Sequence, residues 1–185
     1  MPSIILVRHG PVALKASGLF SYGAFCRFIE AYEQSCLAPD VKPPEELIRL
    51  LRPTTHIFAS DAPRVTDTLC RLGLKADVTD QSFREAPPLA PRLPIKLPII
   101  GWLALARARG VVDPALKSER EDLQRRSAAC AGRLILATAS GPATLVGHGW
   151  FNRHVVTELI ANGWRKTGGP GFAKPFGYVT LTPDA

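Results

Sequence analysis

The chain begins with an unbroken apolar run, Ile4-Ile5-Leu6-Val7, that ends in Arg8, His9 and Gly10. A short aliphatic run rich in β-branched residues predicts a strand buried on both faces, as at the centre of a parallel sheet. From Tyr22 to Gln34 the period changes, and Phe25, Phe28, Ile29 and Tyr32 recur at three and four residues, which predicts an amphipathic helix. Its polar residues Arg27, Glu30 and Glu33 face outward or toward a site, and Arg27 is assigned no role. Pro43-Pro44-Glu45-Glu46 puts proline and acids where a helix N-terminus favours them; the helix through Leu47, Ile48, Leu50 and Leu51 then stops at Pro53.

Thr54 to Ala59 predicts a second strand, with His56 as a structural or surface residue. The next helix has one apolar face made by Val65, Leu69 and Leu72, with Ser60 or Asp61 as its N-cap. Ala76 to Thr79 reads as a further short strand. Between Ala86 and Pro98, Pro87, Pro88, Pro91, Pro94 and Pro98 exclude a helix interior and predict a stiff extended loop bordering the site. Ile99 to Ala108 predicts a short helix carrying Trp102. Pro114 to Ala139 reads as one long helix with Leu116, Leu123, Cys130, Leu134 and Ala137 on its stripe, ended by Ser140-Gly141-Pro142. Ala143 to Gly147 is another buried strand, Gly149 opens a helix through Val155, Leu159 and Ile160, and Tyr178 to Thr182 is the last strand after a Gly/Pro-rich loop. Strands alternating with helices predict a three-layer αβα sandwich with a mainly parallel central sheet, in a single domain spanning 1–185.

Composition narrows the function class. The 46% hydrophobic and 21% charged residues are those of a soluble globular chain, and the net charge of +7 suits anionic substrates. The basic residues are scattered, without aromatic-basic interleaving, so no nucleic-acid partner is expected. No export signal precedes Arg8, and the longest apolar stretch, Leu97 to Ala106, is about half of the ~20 residues a membrane span needs. Cys26, Cys36, Cys70 and Cys130 have neither zinc-site nor disulfide-framework spacing, and they read as reduced, mostly buried thiols of a cytoplasmic protein.

The chemistry-bearing residues sit at strand ends. Arg8 and His9 follow the first strand, Arg64 lies just after the second, His148 follows Ala143–Gly147, and Glu85 lies in a fourth region. In open α/β sheets such ends converge at the carboxyl edge, where ligands bind. Arg64 in a first helical turn opposes the macrodipole, a local cost that points to function. Two guanidiniums bind phosphate oxygens through fixed forks of donors, and the helix start at Gly149 adds backbone N–H groups. An imidazole in this setting can attack phosphorus, and a carboxylic acid can protonate the leaving oxygen. With the cations stabilising charge, neither a metal nor a cofactor is called for.

Arg8-His9-Gly10, Ser60-Asp61-Ala62-Pro63-Arg64-Val65-Thr66-Asp67-Thr68 and Val146-Gly147-His148-Gly149 give the chain a resemblance to the histidine phosphatase, or phosphoglycerate-mutase-like, superfamily. The resemblance runs over nearly the whole chain and implies that His9 is the phosphorylated nucleophile. It also implies that Arg8, Arg64 and His148 form the phosphate pocket, with His148 donating to the phosphoryl oxygens. The general acid it implies is a carboxylate beyond the second arginine motif. Glu85 fits best, Asp80 is the main rival, and Asp61 suits capping instead. Many relatives carry polar phosphate contacts just after Arg-His-Gly, whereas here Pro11-Val12-Ala13-Leu14 offers none, which argues against mutase activity. Trp150 and Asn152 are expected at the pocket mouth and His154 on another side.

These readings lead to a metal-independent phosphatase acting on a small phosphomonoester through a phosphohistidine. The alternatives are a phosphatase of phosphoproteins, including phosphohistidine, and a catalytically silent binding module on the same fold. The sequence leaves the oligomeric state open.

Overall fold

In the computed structural model, which describes residues 2–184, six strands form one sheet: β1 (Ile4–Arg8), β2 (His56–Ala59), β3 (Val78–Thr79), β4 (Ala143–Gly147), β5 (Trp164–Gly168) and β6 (Tyr178–Pro183). Their spatial order is β3-β2-β4-β1-β6-β5. β1 runs parallel to β4, β4 to β2 and β2 to β3, while β6 pairs antiparallel with both β1 and β5. The sheet is therefore mainly parallel with an antiparallel margin.

The helices are α1 (Tyr22–Glu33), α2 (Glu45–Leu51), α3 (Pro63–Leu72), α4 (Ile99–Val112), α5 (Lys117–Ala137) and α6 (Gly149–Ala161). Alternation along β1 divides four of them between two layers, because successive strand side chains point to opposite faces. Ile4 and Leu6 pack with Leu123, Cys130 and Leu134 of α5 and with Val155 and Leu159 of α6. Ile5 and Val7 pack with Leu47 and Leu51 of α2 and with Val65, Leu69 and Leu72 of α3. The continuous apolar run is thus explained by burial on both sides.

A third cluster joins α1 to α4: Trp102 is fully buried, stacks on Phe25 at 5.6 Å between ring centroids and donates its indole N–H to Phe20 O at 2.7 Å. Among the described residues no helix is long and apolar enough to cross a membrane.

Several elements differ from the sequence expectations. The strand expected over Ala76–Thr79 is reduced to two paired residues. The long helix expected from Pro114 starts as a 3-10 turn at Pro114–Leu116, capped by Asp113, before α5 begins. Strand β5 was not expected; only Trp164 of its five residues is buried, so its sequence carries no apolar alternation. Helix α3 has Ala62 as its N-cap, followed by Pro63, so neither Ser60 nor Asp61 caps it. Asp61 instead pairs with Arg84 at 2.6 Å. Of the four cysteines only Cys130 is buried, and Cys36 and Cys70 are exposed, which corrects the expectation of mostly buried thiols.

Candidate active site

Strands β1 and β4 are direct neighbours, with Arg8 opposite Gly147, so His9 and His148 leave the sheet side by side. Their ring centroids lie 5.5 Å apart, and both side chains are buried at the base of a cavity of about 600 Å³. Arg8, Arg64, Glu85 and Gly149 line the same cavity, so the sequence-predicted residues do come together.

His9 Nδ1 lies 2.8 Å from Gly10 O, a contact that places the ring proton on Nδ1 and leaves Nε2 as the unprotonated nitrogen. Burial pushes the His9 pKa down to about 3, opposed by the hydrogen bond to the Gly10 carbonyl and reinforced, less strongly, by the charges of Arg64 and Arg8. At neutral pH the ring is neutral and carries a free lone pair. Gly10 serves more than a turn here: a Cβ on it would stand 2.6 Å from the ring tip of Phe176. Phe176 itself is a non-glycine residue at φ 58, and its N–H donates to His9 O at 3.2 Å.

Arg8 is held by the loop between β5 and β6, with Nη1 donating to Phe172 O at 2.9 Å and Ala173 O at 3.0 Å. Gly149 makes room for it, since a Cβ there would lie 3.3 Å from Arg8 Cδ. Arg64, 1% exposed, is held from the other side of the cavity. Its Nη1 donates to Tyr32 O and Glu33 O, and its Nη2 to both carboxylate oxygens of Glu33 at 3.0 and 3.1 Å. The Nε groups of Arg8 and of Arg64 are buried and have no partner among the described residues. Both guanidiniums nevertheless line the cavity, and Arg8 makes no ion pair among the described residues, so the site favours an anion.

Arg64 Nη2 also lies 3.2 Å from His148 Nδ1, and a guanidinium can only donate, so Nδ1 accepts and the proton sits on Nε2. That Nε2–H donates to Ser60 Oγ at 2.9 Å. Burial, followed by the charges of Arg64, His9, Arg8 and Arg84, holds the His148 pKa well below the ordinary value. Ser60, whose sequence context suggested a cap, is thus the hydrogen-bond partner of His148. Glu33 and Tyr32 were likewise not singled out as site residues.

Glu85 reaches the cavity. Its Oε2 accepts from Trp150 N at 2.9 Å, and its Oε1 accepts from Phe151 N at 2.8 Å and Ala86 N at 3.2 Å. Dense enclosure by protein raises its pKa, with the Trp150 amide, Arg107 and the Phe151 and Ala86 amides pulling the other way. The first-turn amides of α6 after Gly149 are therefore taken by Glu85, and Gly149 remains the first-turn glycine facing the cavity. Asp80, the rival acid, caps the 3-10 turn Gln81–Phe83 and pairs with Arg133 at 2.8 Å. The Ser82 amide, then Arg133, pull its pKa to about 2, so it holds no proton to give.

Trp150 lines the cavity as expected, but Asn152 does not. Being one turn into α6, it lies fully buried under the sheet edge and donates to Val7 O at 3.0 Å. His154 packs against Trp150 at 5.2 Å outside this cavity, and His56 meets Ser140 Oγ at 2.8 Å far from it. Pro88 and Ile99 place both ends of the proline-rich loop on the cavity wall.

No family model matches the sequence, and no curated protein matches it. Solved structures do match in shape. A phosphoserine phosphatase from Entamoeba histolytica, in complex with 3-phosphoglyceric acid, aligns with a TM-score of 0.58 at 13% identity over 97% of this chain and 90% of its own. The product of a Mycobacterium tuberculosis open reading frame aligns with a TM-score of 0.57 at 18% identity, over 84% of this chain and 78% of that one. A mycobacterial glucosyl-3-phosphoglycerate phosphatase aligns at 0.50 and 16% identity, over 97% and 89%. The architecture is that of the phosphoglycerate-mutase-like α/β sandwich.

Proposed function

We propose that the protein is a phosphatase that hydrolyses a small phosphomonoester through a phosphohistidine on His9. One observation carries this reading: Arg8, Arg64 and His148 line one cavity together with the neutral His9 ring. In the first step the His9 Nε2 lone pair forms a bond to phosphorus, the ester P–O bond breaks, and Glu85 gives its proton to the leaving oxygen. In the second, a water oxygen attacks phosphorus and the N–P bond breaks, returning its electron pair to Nε2. Glu85 takes up the proton that water loses, and inorganic phosphate departs.

Arg8 and Arg64 neutralise the phosphoryl oxygens, a role that assigns no metal or cofactor. His148 donates its Nε2–H to a phosphoryl oxygen in exchange for Ser60 Oγ. The acid role goes to Glu85 because it lines the cavity and burial raises its pKa, whereas the Ser82 amide and Arg133 hold Asp80 ionised outside that cavity.

His9 is only 4% exposed at the cavity base, which favours a small molecule over a phosphorylated protein surface. The intact Arg8, His9, Arg64 and His148 set speaks for catalysis over silent binding. Unpaired cysteines accord with a reducing, cytoplasmic site of action.

The test is direct. A quenched reaction should contain phosphate on His9 that is labile to acid and stable to base, and His9→Ala should abolish both label and turnover. Arg64→Ala should weaken binding and turnover together. Near-normal hydrolysis by His9→Ala would overturn the assignment.

A further inference from the structure

The cavity above His9 is far larger than a phosphate. At about 600 Å³ it falls in the range of roughly 300–1,000 Å³ that encloses a drug-sized ligand. One wall is apolar, built by Phe28 and Ile29 of α1 and by Ile99 and Leu103 of α4. Arg107, one turn beyond Leu103 on the same face of α4, and Arg153 of α6 line the cavity as well.

Neither of these two arginines is used by the chemistry proposed above. Arg107 lies over the Trp150 ring at 4.3 Å and makes no ion pair or hydrogen bond among the described residues. The acid nearest to it in charge, Glu85, has both oxygens occupied by backbone amides. Burial, largest, and the neighbouring charge of Arg153 disfavour the charged form of Arg107 against the attraction of Glu85, and an anion between the two arginines would offset both. The charge balance agrees. Four arginines, Arg8, Arg64, Arg107 and Arg153, line the cavity against Glu33 and Glu85, and Glu33 is already paired with Arg64.

We infer that Arg107 and Arg153, beside Trp150, form a second anion subsite, so that the substrate is a phosphomonoester whose leaving group has an apolar body and a distal anionic group. The inference rests on the phosphatase reading and extends it to the leaving group. Arg107 and Trp150 also border an adjoining cavity of about 510 Å³, so a long leaving group has room beyond the subsite.

The test compares phenyl phosphate with 3-carboxyphenyl phosphate, and with the ester bearing a phosphonate in place of the carboxylate. The ratio of kcat/KM between an anionic ester and phenyl phosphate is measured in the native protein, in Arg107→Gln and in Arg107→Lys. A charge-assisted contact predicts a native preference of roughly tenfold or more for at least one anionic ester. That preference should fall to near twofold in Arg107→Gln and stay intermediate in Arg107→Lys, and the better of the two anionic esters tells which anion fits. The same ratios are read as equilibrium binding constants in His9→Ala, with and without Arg107→Gln. Turnover with no Arg107-dependent preference for either anion overturns the subsite and leaves the phosphatase reading standing. Arg107-dependent binding without turnover by the native protein supports the subsite and overturns the phosphatase reading.

Discussion

Glu33 grips Arg64 with both carboxylate oxygens, at 3.0 and 3.1 Å from Nη2, inside the cavity that His9 and His148 line. With Nη1 given to the Tyr32 and Glu33 carbonyls and Nη2 shared with His148, every terminal N–H of Arg64 is committed to the protein. On the phosphatase reading, the Glu33 carboxylate competes with a phosphate oxygen for the guanidinium. Glu33→Gln keeps a hydrogen-bond acceptor for Arg64 while removing the competing charge. Inhibition by inorganic phosphate should then tighten, by about three- to tenfold for one screened charge near a surface. Unchanged or weaker inhibition would show that Glu33 only orients Arg64.

Leaving-group chemistry isolates Glu85. Glu85→Gln retains an oxygen for the Trp150 or Phe151 amide and removes the transferable proton. An alkyl phosphate, whose alkoxide leaves poorly, should slow by about 10²-fold or more, whereas p-nitrophenyl phosphate should slow much less. Equal slowing of both esters would reduce Glu85 to a helix-capping role.

Acid should destabilise the protein through its histidines. The folded pKa of His9 is about 3, against an ordinary value near 6.5, so below pH 6.5 the unfolded chain takes up a proton that the folded chain refuses. The stability linked to His9 is complete above pH 6.5 and drains away as pH falls toward 3. His148, shifted the same way, adds to the slope. Glu85 acts oppositely, since its raised pKa lets the folded state keep a proton and its contribution is lost as pH rises through that value. Urea midpoints at pH 7 and pH 5 should therefore show lower stability at pH 5. His9→Gln should flatten the slope by up to about 1.4 kcal/mol per pH unit. An unchanged slope would mean that His9 is not buried as the neutral ring.

Gly10→Ala should be destabilising by about 1–3 kcal/mol, because its Cβ meets the Phe176 ring tip at 2.6 Å. Thermal unfolding measures the loss. Shortening the ring in the double variant Gly10→Ala, Phe176→Leu should recover part of it, and strict additivity of the two losses would show that the contact is not the cause.

The parts of the fold that are buried on two sides were legible in the sequence. β1 and β4 announce themselves as apolar runs, and the helices that cover them carry apolar stripes, so the layered α/β class followed from pattern, whereas the meeting of His9 with His148 was expected from the motif resemblance. β5 was hidden because it lies at the sheet edge with four of its five residues exposed, and its pairing with β6 is made by backbone groups any sequence supplies. In the site, the motif residues converged, whereas Ser60 and Glu33 could not be assigned. Their partners His148 and Arg64 lie 88 and 31 positions away, and no local period marks such a contact. The competition between Glu85 and Asp80 was likewise beyond sequence, since it is decided by Arg133 and by the amides of Trp150 and Phe151.

β1 sits between β4 and β6, and Arg8 is fastened to carbonyls 164 and 165 positions further along. During synthesis β1 emerges ahead of the other five strands, yet its sheet partners β4 and β6 and the anchor of Arg8 emerge only after β2 and β3. A nascent chain must therefore carry an exposed Ile-Ile-Leu-Val segment until β4 and β6 emerge, a window in which chaperones and aggregation compete for it. The same order means that a product truncated before Phe172 carries His9 without the carbonyls that hold Arg8 and without β6 beside β1.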